Sequence, residues 1–400
     1  MSATTPAGIG WGSRIVMVFG GVLVTLELVA LAPVLPIIEA ALSHGPGDSL
    51  WAKQIIGIIG ISIMIGAPLT GWLIDRIGMK PVLVTACLLA AVAGAAGLAL
   101  DDLKALVFTR FLTGAAAAGV ATCSMTLINT RLPPELRARW MGLHVSVYMG
   151  AGVVLYPVAG WLGEMGWRAP FTMYLVGIPL ALIVILFYRD TPRYADAVGA
   201  AGTRTHGGTA RMLDWLPVRF MLLGFLIGCV LYTSAIYSPY QWRAVGVTSP
   251  QTMSLLLSGS AIVPAVTASL YGRVRRRLPE SGVFALGFAL SGLGGVTVAL
   301  SVNVLQALAG FAFYSIGIGL LVPNLMTALG LAVATDRQGR AIGAVKAAQY
   351  IANTSVPFMM EPFARQYGPD AAFYGIALLG AVMLAWFGGR TLLARPPATG

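Results

Sequence analysis

The sequence predicts an all-α integral membrane protein whose 12 transmembrane helices form two pseudo-symmetric six-helix bundles. Three observations predict it. Hydrophobic residues make up 57% of the 400 and charged residues only 10%, with a mean hydropathy of +0.81, whereas an ordinary soluble domain has roughly a quarter of its residues charged. Apolar runs recur from end to end, each near the roughly 20 residues an α-helix needs to cross a bilayer core. The lysines and arginines alternate in density with those runs. If the N-terminus is cytoplasmic, nineteen of the 26 fall on that side, five fall outside, and Arg110 and Lys346 lie within spans. That asymmetry sets orientation by the positive-inside rule and places both termini in the cytoplasm.

The first apolar run, 15–37, is too long for a signal-peptide core and has no small-residue cleavage pattern behind it, so it is expected to remain as span 1. Spans 2 to 6 follow at 53–75, 81–100, 105–128, 140–162 and 170–188. Arg76 and Lys80, then Arg131, Arg137 and Arg139, mark the inner turns, and Lys53, Lys104 and Arg168 the outer ones. The longest polar stretch, Arg189 to Leu216, divides the chain six and six. Its Gly/Ala/Thr-rich part reads as a flexible linker, and Arg211-Met212-Leu213-Asp214-Trp215 as a short interfacial helix anchored by Trp215. Spans 7 to 12 are placed at 216–238, 250–272, 282–301, 304–328, 340–360 and 371–389. Here Arg273, Arg275, Arg276 and Arg277, then Arg337 and Arg340, are inner, and Arg243 and Arg365 outer. The expected units are an N-terminal bundle over 1–188, a cytoplasmic linker over 189–215 and a C-terminal bundle over 216–400. A β-barrel would show short alternating segments instead.

Composition also narrows the function. The net charge of +11 reads as orientation and contact with anionic lipid, not as nucleic-acid binding. Cys87, Cys123 and Cys229 lie in apolar runs without metal-ligand spacing and read as buried small hydrophobes. No Ser/His/Asp set, phosphate loop or paired metal ligands stand out, so an enzyme, a cofactor and a metal are not expected. A monomer moving a small organic solute and protons is. Setting Leu73-Ile74-Asp75-Arg76 against Leu270-Tyr271-Gly272-Arg273 puts an arginine at the same place in each half. A duplicated unit with the site between its halves is a recurrent transporter plan.

Charges inside spans are expensive and mark function. Glu27 sits midway along span 1, with Val24, Leu31 and Val34 on its face. Burial makes a carboxylate hold its proton to higher pH and a nearby cation opposes this, so Glu27 reads as a protonation switch or as half of a static charge pair. Arg110, followed on its face by Thr113, Gly114 and Ala117, cannot lose its proton. It can hold a carboxylate, either Glu27 or an acidic group on the solute, or reach the outer interface. Lys346 heads a polar stripe with Gln349 or Tyr350, Asn353 and Pro357. Span 10 offers Tyr314, Gly317, Leu321 and Asn324, with Pro323 able to break the helix. Span 7 offers Tyr232, Ile236 and Tyr240. These amide, phenol and ammonium groups suit a polar or anionic solute, and Lys346 is a rival proton carrier. His144 and Tyr148 form a face of span 5, where a histidine can titrate near neutrality or serve as a structural donor. Glu361 and Arg365, near the outer end of span 11, read as an outer gate pair or, in preference, as a solvated ion pair.

Gly71-Trp72-Leu73-Ile74-Asp75-Arg76-Ile77-Gly78-Met79-Lys80 resembles the signature between helices 2 and 3 of the major facilitator superfamily. Arg110 followed by Gly114 resembles its helix 4 signature. Gly150, Gly152, Pro157 and Gly160 resemble the antiporter signature of helix 5, with Tyr156 and Trp161 standing where glycines are expected. Leu31-Ala32-Pro33-Val34-Leu35-Pro36 is similar to drug–proton antiporters and to organic-acid uptake carriers alike. The resemblance implies that the halves rock about a central site. It also implies that Gly71, Asp75, Arg76, Gly78, Lys80 and Pro157 serve gating, and that protonation of a buried carboxylate is exchanged against solute. Proton-coupled export of a drug or metabolite across an inner membrane is the leading expectation, and uptake of an organic anion such as a carboxylate the alternative.

Overall fold

The computed structural model describes residues 10–45, 47–188, 218–333 and 338–393, and they are helical almost throughout. In chain order the transmembrane helices are α1 (Trp11–Leu42), α2 (Asp48–Ile77), α3 (Met79–Leu98), α4 (Leu103–Arg131), α5 (Pro134–Glu164) and α6 (Ala169–Phe187). The second six are α7 (Val218–Ala244), α8 (Pro250–Arg275), α9 (Glu280–Ala299), α10 (Val304–Ala332), α11 (Gln338–Tyr367) and α12 (Asp370–Leu393). Most run past the predicted spans, because apolar composition marks the crossing segment while the helix continues as polar turns beyond it. The linker over 189–215 and the interfacial helix at Trp215 lie outside the described residues.

Among the described residues, eleven helices are long and apolar enough to cross a membrane by composition alone. The twelfth, α11, is 30 residues long but carries Lys346, Gln349, Asn353, Glu361 and Arg365. Its polarity is the price of its position between the halves.

Proline shapes several helices. In α1 the backbone tightens to a 3-10 turn over Ala32–Val34, since Pro33 and Pro36 have no N–H to continue the ladder. Pro323 behaves otherwise than expected: α10 stays helical through it from Val304 to Ala332. Pro157 cannot donate to the Val153 carbonyl four residues back, and Ser258 Oγ of α8 donates to that carbonyl at 3.0 Å. Pro264 likewise frees the Ser260 carbonyl, which accepts from Ser315 Oγ at 3.4 Å. Inside a bilayer a freed carbonyl must find such a partner.

The six-helix halves meet along two seams, α2 against α11 and α5 against α8, with the end of α1 touching α7 and α8. Within the second half α9 lies between α10 and α12. A Cβ on Gly292 would come within 3.2 Å of the Gly380 Cα, so α9 and α12 touch backbone to backbone.

The first and last described residues lie on one face, here the terminal face. The cross-half hydrogen bonds named below involve α2 from Lys53 to Ile61, α5 from Val153 to Glu164, and α8 from Ser249 to Ser258, all toward the opposite, far face. Glu164 Oε1 illustrates this closure, accepting from Ser249 Oγ at 2.5 Å and from the Gln251 N–H at 3.0 Å at the start of α8. Toward the terminal face Leu69, Leu143, Met149, Leu270 and Lys346 are exposed. The cross-half hydrogen bonds among the described residues cluster toward the far face, so the halves part toward the terminal face.

Candidate functional site

Glu27 is buried, 2% exposed, in the middle segment of α1. Thr113 Oγ1 of α4 donates to its Oε2 at 2.8 Å, with the Arg110 carbonyl at 3.1 Å as that hydroxyl's alternative acceptor. Arg110 is fully buried but makes no ion pair with Glu27. Its Nη2 donates instead to the carbonyls of Ala93 and Gly94, at 3.0 and 2.9 Å. Those carbonyls belong to the last turn of the α-helical part of α3, Met79–Ala95, which has no helical donors left. The guanidinium also lies 4.5 Å from the Tyr174 ring centroid and 5.3 Å from that of Phe171. A helix C-terminus and aromatic faces both stabilise a cation, while the Arg110 Nε and Nη1 are buried without a hydrogen-bond partner and Glu27 lies within electrostatic reach.

His144, 1% exposed, ties α5 to α1 through a 2.8 Å bond between its Nδ1 and the Met17 carbonyl. A carbonyl only accepts, so Nδ1 carries the proton and Nε2 is left facing Gly21. One turn on, Thr25 Oγ1 donates to the Tyr148 carbonyl at 2.8 Å.

Along α11 Lys346 is exposed toward the inter-half space. Above it Gln349 is buried with Nε2 unpartnered, and Asn353 with Oδ1 unpartnered, while Asn353 Nδ2 reaches the Ile56 carbonyl of α2 at 3.4 Å. Tyr350 of α11, Tyr232 of α7 and Tyr148 of α5 lie within electrostatic reach of one another. Thus Tyr350 and Tyr232 come together with Tyr148, and Lys346, Gln349 and Asn353 lie on the same helix as Tyr350. Tyr314 and Asn324 are held elsewhere. The Tyr314 hydroxyl donates to the Val230 carbonyl at 2.5 Å. Asn324 accepts from the Tyr271 hydroxyl at 3.0 Å and donates to the Glu280 carbonyl at 3.1 Å. Both stitch the second half internally.

A second polar cluster closes the far face, and sequence reasoning placed its centre, Lys53, in a loop. Lys53 lies in α2 with its side chain 6% exposed, 3.0 Å from Glu361 Oε2 across the seam and 3.4 Å from Glu39 Oε2 of α1. Its Nζ donates to Ser49 Oγ at 2.6 Å, and that hydroxyl donates to Glu39 Oε1 at 2.5 Å. The ammonium stands 4.5 Å from the Tyr240 ring centroid and 5.8 Å from that of Tyr237. Glu361, with its side chain 3% exposed, also pairs with Arg365 at 3.2 Å. It is therefore not the solvated pair expected, because α2, α7 and α1 cover it. A cue was available in sequence: Tyr237 and Tyr240, three apart, share the face of α7 that meets this cluster.

At the terminal face Gly78 turns the chain between α2 and α3 at φ +85°, where only glycine is unstrained. Lys80 Nζ donates to the Ile185 carbonyl at 3.0 Å near the end of α6, and the Arg76 guanidinium covers the Trp72 ring at 4.1 Å. Asp75 is exposed, with no hydrogen bond or ion pair among the described residues. Gly71 has open space around it. Among the described residues, the contacts of Lys80 and Arg76 are within the first half.

The family model for the Major Facilitator Superfamily matches residues 17–245 and 220–400. The chain is 23% identical over 375 residues to the tetracycline resistance protein, class H, of Pasteurella multocida, covering 90% of this chain and 91% of that one. It is 27% identical over 357 residues to the puromycin resistance protein pur8 of Streptomyces alboniger, covering 84% of this chain and 66% of the other. Among solved structures, a bacterial homologue of the human lysosomal transporter Spinster, inward-facing and unoccupied, superposes with a TM-score of 0.72 at 17% identity. That match covers 99% of this chain and 100% of that one.

Proposed function

Because this chain belongs to the Major Facilitator Superfamily, a family of secondary transporters, we propose that it exports a small organic solute across an inner membrane by proton antiport. In this reading the terminal face is cytoplasmic, as the excess of lysine and arginine there requires, and Glu27 carries the proton.

One observation carries the reading. Glu27 is a carboxylate buried in a membrane helix whose described hydrogen-bond partner is a neutral hydroxyl, Thr113. Arg110 is held through Nη2 by two carbonyls and lies against two rings, with Glu27 within electrostatic reach but not in an ion pair, so protonating Glu27 breaks no direct contact to the guanidinium. A carboxylate locked in a buried ion pair could not be neutralised so cheaply. Export is supported by the resistance proteins that match most of the chain. The drug–proton antiporter branch is the subfamily this reading favours.

Lys346 favours a second reading. It is exposed in the inter-half space and has no acidic partner among the described residues. An ammonium in that position suits an organic anion taken up together with protons.

Proteoliposomes holding a trapped pH indicator separate the two. A solute gradient that drives protons the opposite way supports antiport; co-movement establishes symport and removes the export reading. Glu27→Gln is expected to abolish the proton flux while solute exchange continues. Full gradient-driven transport by that variant would refute the role of Glu27.

A further inference from the structure

We infer that Thr354 is a positioning residue of the transport cycle: its hydroxyl latches α11 onto one rung of α2 while the far face is closed, and the latch releases by exchanging hydrogen bonds rather than losing them. Thr354 Oγ1 accepts from the Ile61 N–H at 3.1 Å and donates to the Gly57 carbonyl at 2.8 Å. Those groups are four residues apart in α2, the two ends of one α-helical hydrogen bond. One turn earlier, Gln54 Nε2 donates to the carbonyl of Thr354 at 3.1 Å. A single residue of the second half thus makes three bonds to the first.

The close approach depends on glycine. A Cβ on Gly60 would overlap the Tyr350 carbonyl, and one on Gly57 would stand 3.0 Å from Pro357 Cγ and 3.3 Å from the Asn353 carbonyl. Pro357 has no N–H for that Asn353 carbonyl, so α11 turns a proline-loosened stretch toward α2.

Separation of the halves is ordinarily opposed by any polar backbone group it leaves bare in a low-dielectric setting. Here no backbone group of the rung need be bared. When α11 withdraws, Gly57 and Ile61 remain at helical spacing in the unbroken α2 and can satisfy each other. The Thr354 hydroxyl can swing back to the Tyr350 carbonyl, four residues before it, as threonine does within helices. The latch therefore fixes the register of α2 against α11 in one state without trapping the molecule there. Lys53 and Glu361, on the same pair of helices, are different, since parting them separates charges. The latch works alike for export and uptake.

The test uses the full-length protein in nanodiscs, with spin labels on Ala99→Cys and Val302→Cys. Both positions are exposed at the far face, one in each half, and the native cysteines are buried. Thr354→Val keeps the shape and removes the hydroxyl. The fraction of molecules with the long label distance is expected to rise about fivefold, the effect of one hydrogen bond of ordinary net worth. Thr354→Ser should keep the wild-type distribution. Gly60→Ala, which pushes the helices apart without touching the hydroxyl, should shift it in the same direction by loosening the same contact, and Thr354→Ala carries the test of the hydroxyl if Thr354→Val does not fold. The proposal is overturned if the distribution stays at wild type in a folded Thr354→Val or, where that variant does not fold, in Thr354→Ala, whatever Gly60→Ala does. It is equally overturned if Thr354→Ser shifts as far as Thr354→Val, since the methyl group rather than the hydroxyl would then matter.

Discussion

Replacing Lys53 with glutamine should open the far face. Lys53 stands between Glu361 at 3.0 Å and Glu39 at 3.4 Å, with 6% of its own side chain exposed. Removing one partner of a buried pair costs about 3–5 kcal/mol, because the remaining charge is left without compensation. Two details select the low end. Arg365 stays 3.2 Å from Glu361, and the Glu39 side chain is 20% exposed and so keeps some water. About 3 kcal/mol against the closed far face corresponds to roughly a hundredfold change in the balance of states. The same label pair on Ala99 and Val302 reads it as conversion to the long distance. Adding Glu361→Gln to Lys53→Gln should move the distribution back toward the closed form, since the orphaned charge is then gone. An unchanged distribution in Lys53→Gln, or a double variant as open as the single one, would refute the cluster as the far-face closure.

Other substitutions discriminate between roles in the same way. Arg110→Met strips the charged donor from the Ala93 and Gly94 carbonyls. It should lower stability by about 2–4 kcal/mol, two charge-assisted bonds less the apolar packing regained, as read by thermal unfolding in detergent. If Arg110→Met instead leaves stability intact and abolishes proton flux, Arg110 belongs to the coupling machinery. Lys346→Ala should weaken binding of an anionic ligand about tenfold more than of its neutral analogue, the loss of one charge-assisted contact; calorimetry with matched pairs checks this, and equal losses would make Lys346 structural. Ser258→Ala leaves the Val153 carbonyl freed by Pro157 without its donor across the α5–α8 seam. It should favour the far-face-open form by about 1 kcal/mol, again by label distance. Pro157→Ala in the same background should cancel that effect, because residue 157 then supplies the missing N–H.

The helices themselves were legible because each is an apolar run that the bilayer requires, and charge marks its ends. Glu27 and Lys346 were legible for the complementary reason, as charges where the bilayer disfavours them. Lys53 was not. A hydropathy window starts α2 at 53, whereas the helix begins at Asp48, so a lysine in its second turn was taken for a boundary residue. The partner of Arg110 was out of reach because it is the backbone of Ala93 and Gly94, which no side-chain pattern announces. Tyr314 and Asn324 misled for a third reason. Helical spacing puts residues on one face but does not say whether that face meets a cavity or a neighbouring helix, and here it meets α7, α8 and α9.

The polarity of α11 also bears on how the protein is made. Among the described residues, eleven helices can each leave the insertion machinery for lipid on their own composition, but α11 presents a lysine, amides and an ion pair to a solvent that rejects them. Only Gly368 and Pro369 separate it from the strongly apolar α12. The two helices should therefore enter the bilayer together, as a hairpin carried by its second arm. Truncation after α11 should then leave that segment uninserted, and the helix on which the inter-half contacts depend would be among the last to reach its place during biosynthesis.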